Sequence, residues 1–176
     1  MAEGTPTGVR VSLSNDGSVN VATGLPVLDH LIGELARTGR FGLGLEVAPE
    51  SAGEAAAAAG RALGHALAGR LEAANAARRG WALLPADEAL ALAAVDRDDE
   101  PQLVTNVDFS GQMVGGLSTD VASRFLQELA AGASLNVHIR LVEGTEPQHV
   151  LDAIFKAVGA ALGQACRSVP DAKEEW

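Results

Sequence analysis

Tyrosine is absent from this chain and aromatic residues make up 3% of it, so successive bases would find few rings to stack on. Basic residues are also scarce: 13 lysines and arginines stand against 23 aspartates and glutamates, a formal net charge of −10. Such a surface repels phosphate backbones, which argues against nucleic acid as a partner. The single cysteine, Cys166, excludes an internal disulfide framework and a cysteine-based zinc site. No apolar run approaches the roughly 20 residues of a membrane-spanning helix, since the alanine-rich stretch after Glu54 is interrupted by Arg61 and His65. A soluble chain with no membrane partner is expected. The opening MAEGTPTGVRV has neither a positive start nor an apolar run, so no secretory signal is expected and the cytoplasm is the default compartment. No P-loop, nucleophile elbow or glycine-rich dinucleotide fingerprint is found.

What the chain does contain, it contains twice. Residues 121–130 read VASRFLQELA, and residues 27–36, at an offset of 94, read VLDHLIGELA. Residues 156–162 read KAVGAAL, and residues 61–67, at an offset of 95, read RALGHAL. Two matches at nearly one offset, each copy enclosing a short alternating segment, indicate an internal duplication of halves of roughly 85 residues.

Hydrophobic periodicity then assigns the elements. Val9, Val11 and Leu13 alternate with polar residues and Asn15-Asp16-Gly17 is turn chemistry before Val19 and Val21, so a first hairpin is expected. Val27, Leu28, Leu31, Ile32 and Leu35 recur at helical spacing, with a stop at Gly39. Phe41, Leu43, Leu45 and Val47 alternate as a strand, and a second helix spans about residues 54–72. In the second half, residues 89–95 and 103–109 read as strands, 117–131 as a helix, 135–141 as a strand and 147–162 as a helix entered through Pro147. Each half is strand, strand, helix, strand, helix. The predicted fold is α/β and two-layered, with helices on one face of each sheet. The halves are placed at residues 1–85 and 86–176, with a linker over 73–85 and a frayed tail from Ser168.

Chemistry has few places to sit. His149 and Asp152, at i and i+3, share one helix face and are either a metal-binding pair or a solvated pair at the positive end of a helix. His138, in LNVHIRL, faces away from Val137 and Ile139 and shares a side with Asn136 and Arg140. His30 lies on the first helix, His65 on a helix surface, and Cys166 reads as a packing residue. Arg78 and Arg79 either bind an anion or carry solvated charge.

Residues 28–43 (LDHLIGELARTGRFGL), 83–91 (LLPADEALA), 135–141 (LNVHIRL) and 149–162 (HVLDAIFKAVGAAL) resemble the imidazoleglycerol-phosphate dehydratases of histidine biosynthesis. The resemblance runs over residues 8–165. It implies a manganese enzyme that removes water from an imidazole-bearing glycerol phosphate, with metals held by histidines and carboxylates. It also implies homotrimers that assemble into a 24-subunit shell. Of the family's ligands, His30, His138 and His149 remain, with Asp152 as a shortened acid. Where the family carries His-His-Thr-x-Glu-Asp, this chain has Gly53-Glu54-Ala55-Ala56-Ala57-Ala58, so only Glu54 keeps a ligand atom. The family's phosphate-binding arginine turn is replaced by Asp98-Asp99-Glu100-Pro101, while Arg79 and Lys156 survive as anion contacts. The expectation is a degenerate family member that retains no manganese and serves a structural or regulatory role, self-assembled or co-assembled with an active dehydratase. A working dehydratase or related lyase with one metal on His30, His138, His149 and Asp152 is the alternative. A small-molecule binding module in the remnant pocket is the third reading.

Overall fold

The computed structural model describes residues 8–169. The first half runs Val9–Ser14 (β1), Val19–Ala22 (β2), Pro26–Gly39 (α1), Gly42–Val47 (β3) and Ala52–Leu71 (α2). These strands form one sheet in the order β1-β3-β2, with β3 antiparallel to β1 and parallel to β2. The expected first hairpin is therefore not formed. The turn itself is real: Asp16 Oδ1 accepts hydrogen bonds from Ser14 Oγ, Ser18 Oγ and the Ser18 amide, and Gly17 supplies a φ of +78°. Those bonds hold the Asp16 carboxyl down to about 2. The strands it joins are spread to admit β3, whose Leu43, Leu45 and Val47 are all buried and which takes a ladder on both edges.

The second half repeats the insertion. Arg79–Ala86 (β4), Ala89–Arg97 (β5), Gln102–Thr105 (β6), the small pair Met113–Val114 (β7) and Leu117–Ser118 (β8), Thr119–Ala133 (α3), Leu135–Glu143 (β9) and Pro147–Ala165 (α4) follow in order. The main sheet is ordered β4-β5-β9-β6, with β9 antiparallel to β5 and parallel to β6. Most of the stretch read as the end of a linker is strand β4, paired in register with β5 from Arg79↔Asp96 to Ala86↔Ala89. Its composition hides it, because Gly80 and Pro85 interrupt the apolar alternation; a proline is tolerated there because β4 is an edge strand. The strand expected to reach Phe109 ends at Thr105, where Asn106 turns to bond the backbone of Leu141 through both amide atoms. The tail expected to fray from Ser168 is still paired there, Ser168 with Ala76 and the Val169 amide with the Asn75 carbonyl. Residues 170–176 lie outside the described residues.

Each sheet presents one face to helices. Helix α4 packs on β4 and β5, α3 on β6 and β9, α1 on β2, and α2 on β1 and β3. The halves join helix to helix, α1 on α4 and α2 on α3. The apolar stripe predicted for α1 is the buried one: Leu28, Leu31, Ile32 and Leu35 are at most 1% exposed. Phe125 of α3 and Phe155 of α4 stack at 5.7 Å in the middle of the core. Helices α1 and α4 approach backbone to backbone because Gly159 has no Cβ; one placed there would lie 2.1 Å from the Leu35 carbonyl oxygen. This close crossing sets the side chains of α1 and α4 against each other at the candidate site.

Candidate functional site

The site lies where the start of α4 meets the start of α1 and the β4–β5 turn. Pro147 opens α4, its fixed φ suiting the first helical position. No side chain of α4's own N-cap, Glu146, satisfies the freed amides; instead Glu88, reaching from the β4–β5 turn, accepts the Glu146 amide through Oε1 at 3.2 Å. The turn can do this because Asp87 adopts a left-handed φ of 51°, which folds Ala86 directly back onto Ala89.

The other oxygen of Glu88 lies 2.5 Å from His149 Nδ1, and Asp87 Oδ2 lies 3.3 Å from His149 Nε2. His149 is thus bracketed by two carboxylates. The hydrogen bond to Glu88 raises the His149 pKa above its ordinary value, with the charges of Glu88, Asp87 and Glu146 adding to it against a desolvation cost. The same bond lowers the Glu88 carboxyl. One turn on, Asp152 does not join His149: its Oδ1 lies 3.0 Å from His30 Nε2 on α1. His30 is placed by Asp29, whose Oδ1 accepts both the amide and the hydroxyl of buried Thr23 and so secures the first turn of α1. Lys156, another turn along α4, donates to the Pro85 carbonyl at 2.8 Å.

The remaining predicted residues are elsewhere. His138 stands on the outward face of β9, the side its sequence alternation predicts, in a groove of about 380 Å³ with Arg79, Trp81, Asp96 and Asn136. Arg79 is drawn to Asp96 on the adjacent strand at 3.4 Å. Asp98 accepts Asn136 Nδ2 at 2.7 Å and its own turn's Glu100 amide at 2.9 Å, so this acidic turn is tied to itself and to the start of β9. At the start of α2, Ser51 caps the Glu54 amide; Glu54 is exposed, while Ala55, Ala56 and Ala57 are buried methyl groups. Sequence reasoning missed Asp87 and Glu88 as the partners of His149. The only signal was the Pro-Ala-Asp-Glu-Ala run, a tight turn between two apolar stretches.

The family model for imidazoleglycerol-phosphate dehydratase matches residues 23–162. The chain belongs to the imidazoleglycerol-phosphate dehydratase family. Among this family's members, the dehydratase of Desulfitobacterium hafniense is 38% identical over 168 residues, covering 92% of this chain and 85% of that one. That of Pelobacter propionicus is 35% identical over 173 residues, covering 93% and 87%. The crystal structure of the dehydratase from Staphylococcus aureus superposes with a TM-score of 0.84 at 28% identity, covering 92% of this chain and 94% of that one. The dehydratase fold is therefore kept across nearly the whole chain, including the duplicated sheet-and-helix units that carry His30, His138 and His149. Among the described residues no helix is long and apolar enough to cross a membrane.

Proposed function

We propose that this dehydratase-family chain has left manganese-dependent dehydration behind and acts as a structural or regulatory assembly protein of the cytoplasm. The observation that carries the reading is that three of the four surviving ligand residues, His30, His149 and Asp152, are engaged by protein side chains. His30 spends Nε2 on Asp152, and His149 is held between Glu88 and Asp87. A histidine ligand must be neutral with a lone pair free for the ion. A bracketed His149 with a raised pKa instead favours the proton. At the start of α2 the residues facing the same role are methyl groups, with Glu54 alone able to donate an oxygen. A divalent transition metal is normally held by about four protein ligands or a mixture with water in fixed geometry. This donor set does not fit manganese.

Charge points the same way. The turn Asp98-Asp99-Glu100 is acidic where the family resemblance implies a phosphate contact, and Arg79 and Lys156 are committed to Asp96 and the Pro85 carbonyl. Like charges a few Å apart in a partly desolvated site repel by on the order of kcal/mol. Self-association is supported by the outward face of the larger sheet, where Trp81 is 64% exposed, Val142 54% and Leu83 47%. Monomeric proteins rarely leave such a cluster of large apolar groups to water. A homotrimer or a larger closed assembly, alone or with an active dehydratase, covers it.

The second reading, a working dehydratase, is favoured by the similarity to proteins of that name over more than nine-tenths of this chain. Metal content and native mass, measured together on protein purified with manganese and dialysed, separate the two. Less than one manganese per subunit in an oligomer at least trimeric is expected. Two manganese ions per subunit, or rescue of a histidine auxotroph lacking its dehydratase, would overturn the proposal.

A further inference from the structure

At the end of the molecule formed by the C-termini of α1, α2 and α4, three arginines converge. Arg40 is the C-cap of α1, in a left-handed conformation with φ of 59°; Arg70 lies in the last turn of α2; Arg167 follows α4. Together with Gly39, Phe41, Gly163 and Cys166 they line a pocket of about 170 Å³. None of the three forms an ion pair among the described residues; the same holds for Arg10, Arg78 and Arg140, but those three do not share a pocket. Arg70 is fixed in place, lying over the Phe41 ring at 5.7 Å and donating to the Ser14 carbonyl. Asp16, the carboxylate of the turn that follows Ser14, is taken up by Ser14 and Ser18.

Arginines at helix C-termini neutralise the helix dipoles, and that role accounts for only part of the charge. Three helix ends contribute roughly −1.5 charges in all, against the positive charges of three guanidinium groups. A surplus of about one to two positive charges remains, in a chain whose formal net charge is −10. The base is formed where α4 meets α1 backbone to backbone: a Cβ on Gly163 would lie 2.5 Å from the Gly39 carbonyl oxygen, so the two glycines close the floor beneath the guanidinium groups. Guanidinium forks match oxyanion geometry with paired N–H donors.

We propose that this pocket binds a small phosphate-class dianion through Arg40, Arg70 and Arg167, at a site separate from the His30 and His149 cluster. Cys166 on its wall is a built-in reporter. Burial pushes this thiol up to about 11, with Arg70 working against the shift, and an anion seated in front of it shields it from alkylating reagents.

The test uses the full chain at constant ionic strength, exchanging chloride for inorganic phosphate or for a simple alkyl phosphate. Phosphate is expected to raise the melting temperature and to slow iodoacetamide modification of Cys166, and binding of the alkyl ester as well marks the phosphate group of a larger metabolite as the occupant. Arg40→Gln with Arg167→Gln weakens phosphate binding by about tenfold or more, while Arg10→Gln, on the outer face of the smaller sheet, leaves it unchanged. Should the double variant fail to fold, Arg40→Lys and Arg167→Lys keep the charge but lose the fork, and a several-fold loss is expected. Equal responses to phosphate and chloride, or undiminished binding in the folded variants, would overturn the proposal. So would binding that appears only after Asp171, Glu174 and Glu175, which follow Arg167 in the sequence, are changed to their amides.

Discussion

His30 Nε2 and Asp152 Oδ1, on residues from different halves of a duplicated chain, lie 3.0 Å apart and join α1 to α4. The contact depends on the close α1–α4 crossing permitted at Gly159, and it removes both side chains from any shared ion unless the pair is broken. His30 is about half exposed, so solvent screens the pair and its contribution to stability is small.

Asp152→Asn is accordingly expected to cost less than about 1 kcal/mol in urea unfolding. It is also expected to leave manganese content unchanged and below one per subunit. A loss of bound manganese in this variant would show that Asp152 is a ligand.

The His149–Glu88 pair makes stability depend on pH with a definite sign. His149 has a raised folded pKa, so its contribution is fully present below the ordinary histidine value of 6.5 and is lost as pH rises through the folded value. Glu88 has a lowered folded pKa, so its contribution is present above the ordinary 4.5 and is lost as pH falls through the folded value. The melting temperature is expected to have a maximum contribution from this pair between those two ordinary values and to decline above it. Glu88→Gln should flatten the upper decline and also loosen the start of α4, visible as faster amide exchange at Glu146.

Gly159→Ala tests the helix crossing. The added methyl meets the Leu35 carbonyl and the Thr38 hydroxyl, so α1 and α4 must separate. Overpacking of this kind costs about 1–3 kcal/mol, and the His30–Asp152 contact should be lost with it. Unaltered stability in denaturant titration would mean that the helices pack less closely than described.

Trp81→Glu places a charge on the outward face of the larger sheet without touching the core, since Trp81 is 64% exposed. The expected result is a smaller particle by light scattering with an unchanged circular dichroism spectrum. An oligomer of the same mass would move the interface to another surface.

Periodicity alone made much of this molecule legible. The buried stripe of α1, the outward side of His138 and the helical face of α4 are written in local spacing, because a side chain's direction follows from the period of its own element. The partner of each face is a different matter. Nothing in the Asn15-Asp16-Gly17 turn says that β3 will enter between β1 and β2, since strand order is decided by which apolar strand gains most from two covered edges. Strand β4 escaped notice for a related reason: an edge strand with glycine and proline is held by its pairing with β5 more than by its own pattern. His149 and Asp152 show the limit most clearly. Their i, i+3 spacing puts them on one side of α4, yet tertiary packing sends one to Glu88 and Asp87 and the other to His30, because each side chain pairs with whichever charge an adjacent element brings within reach.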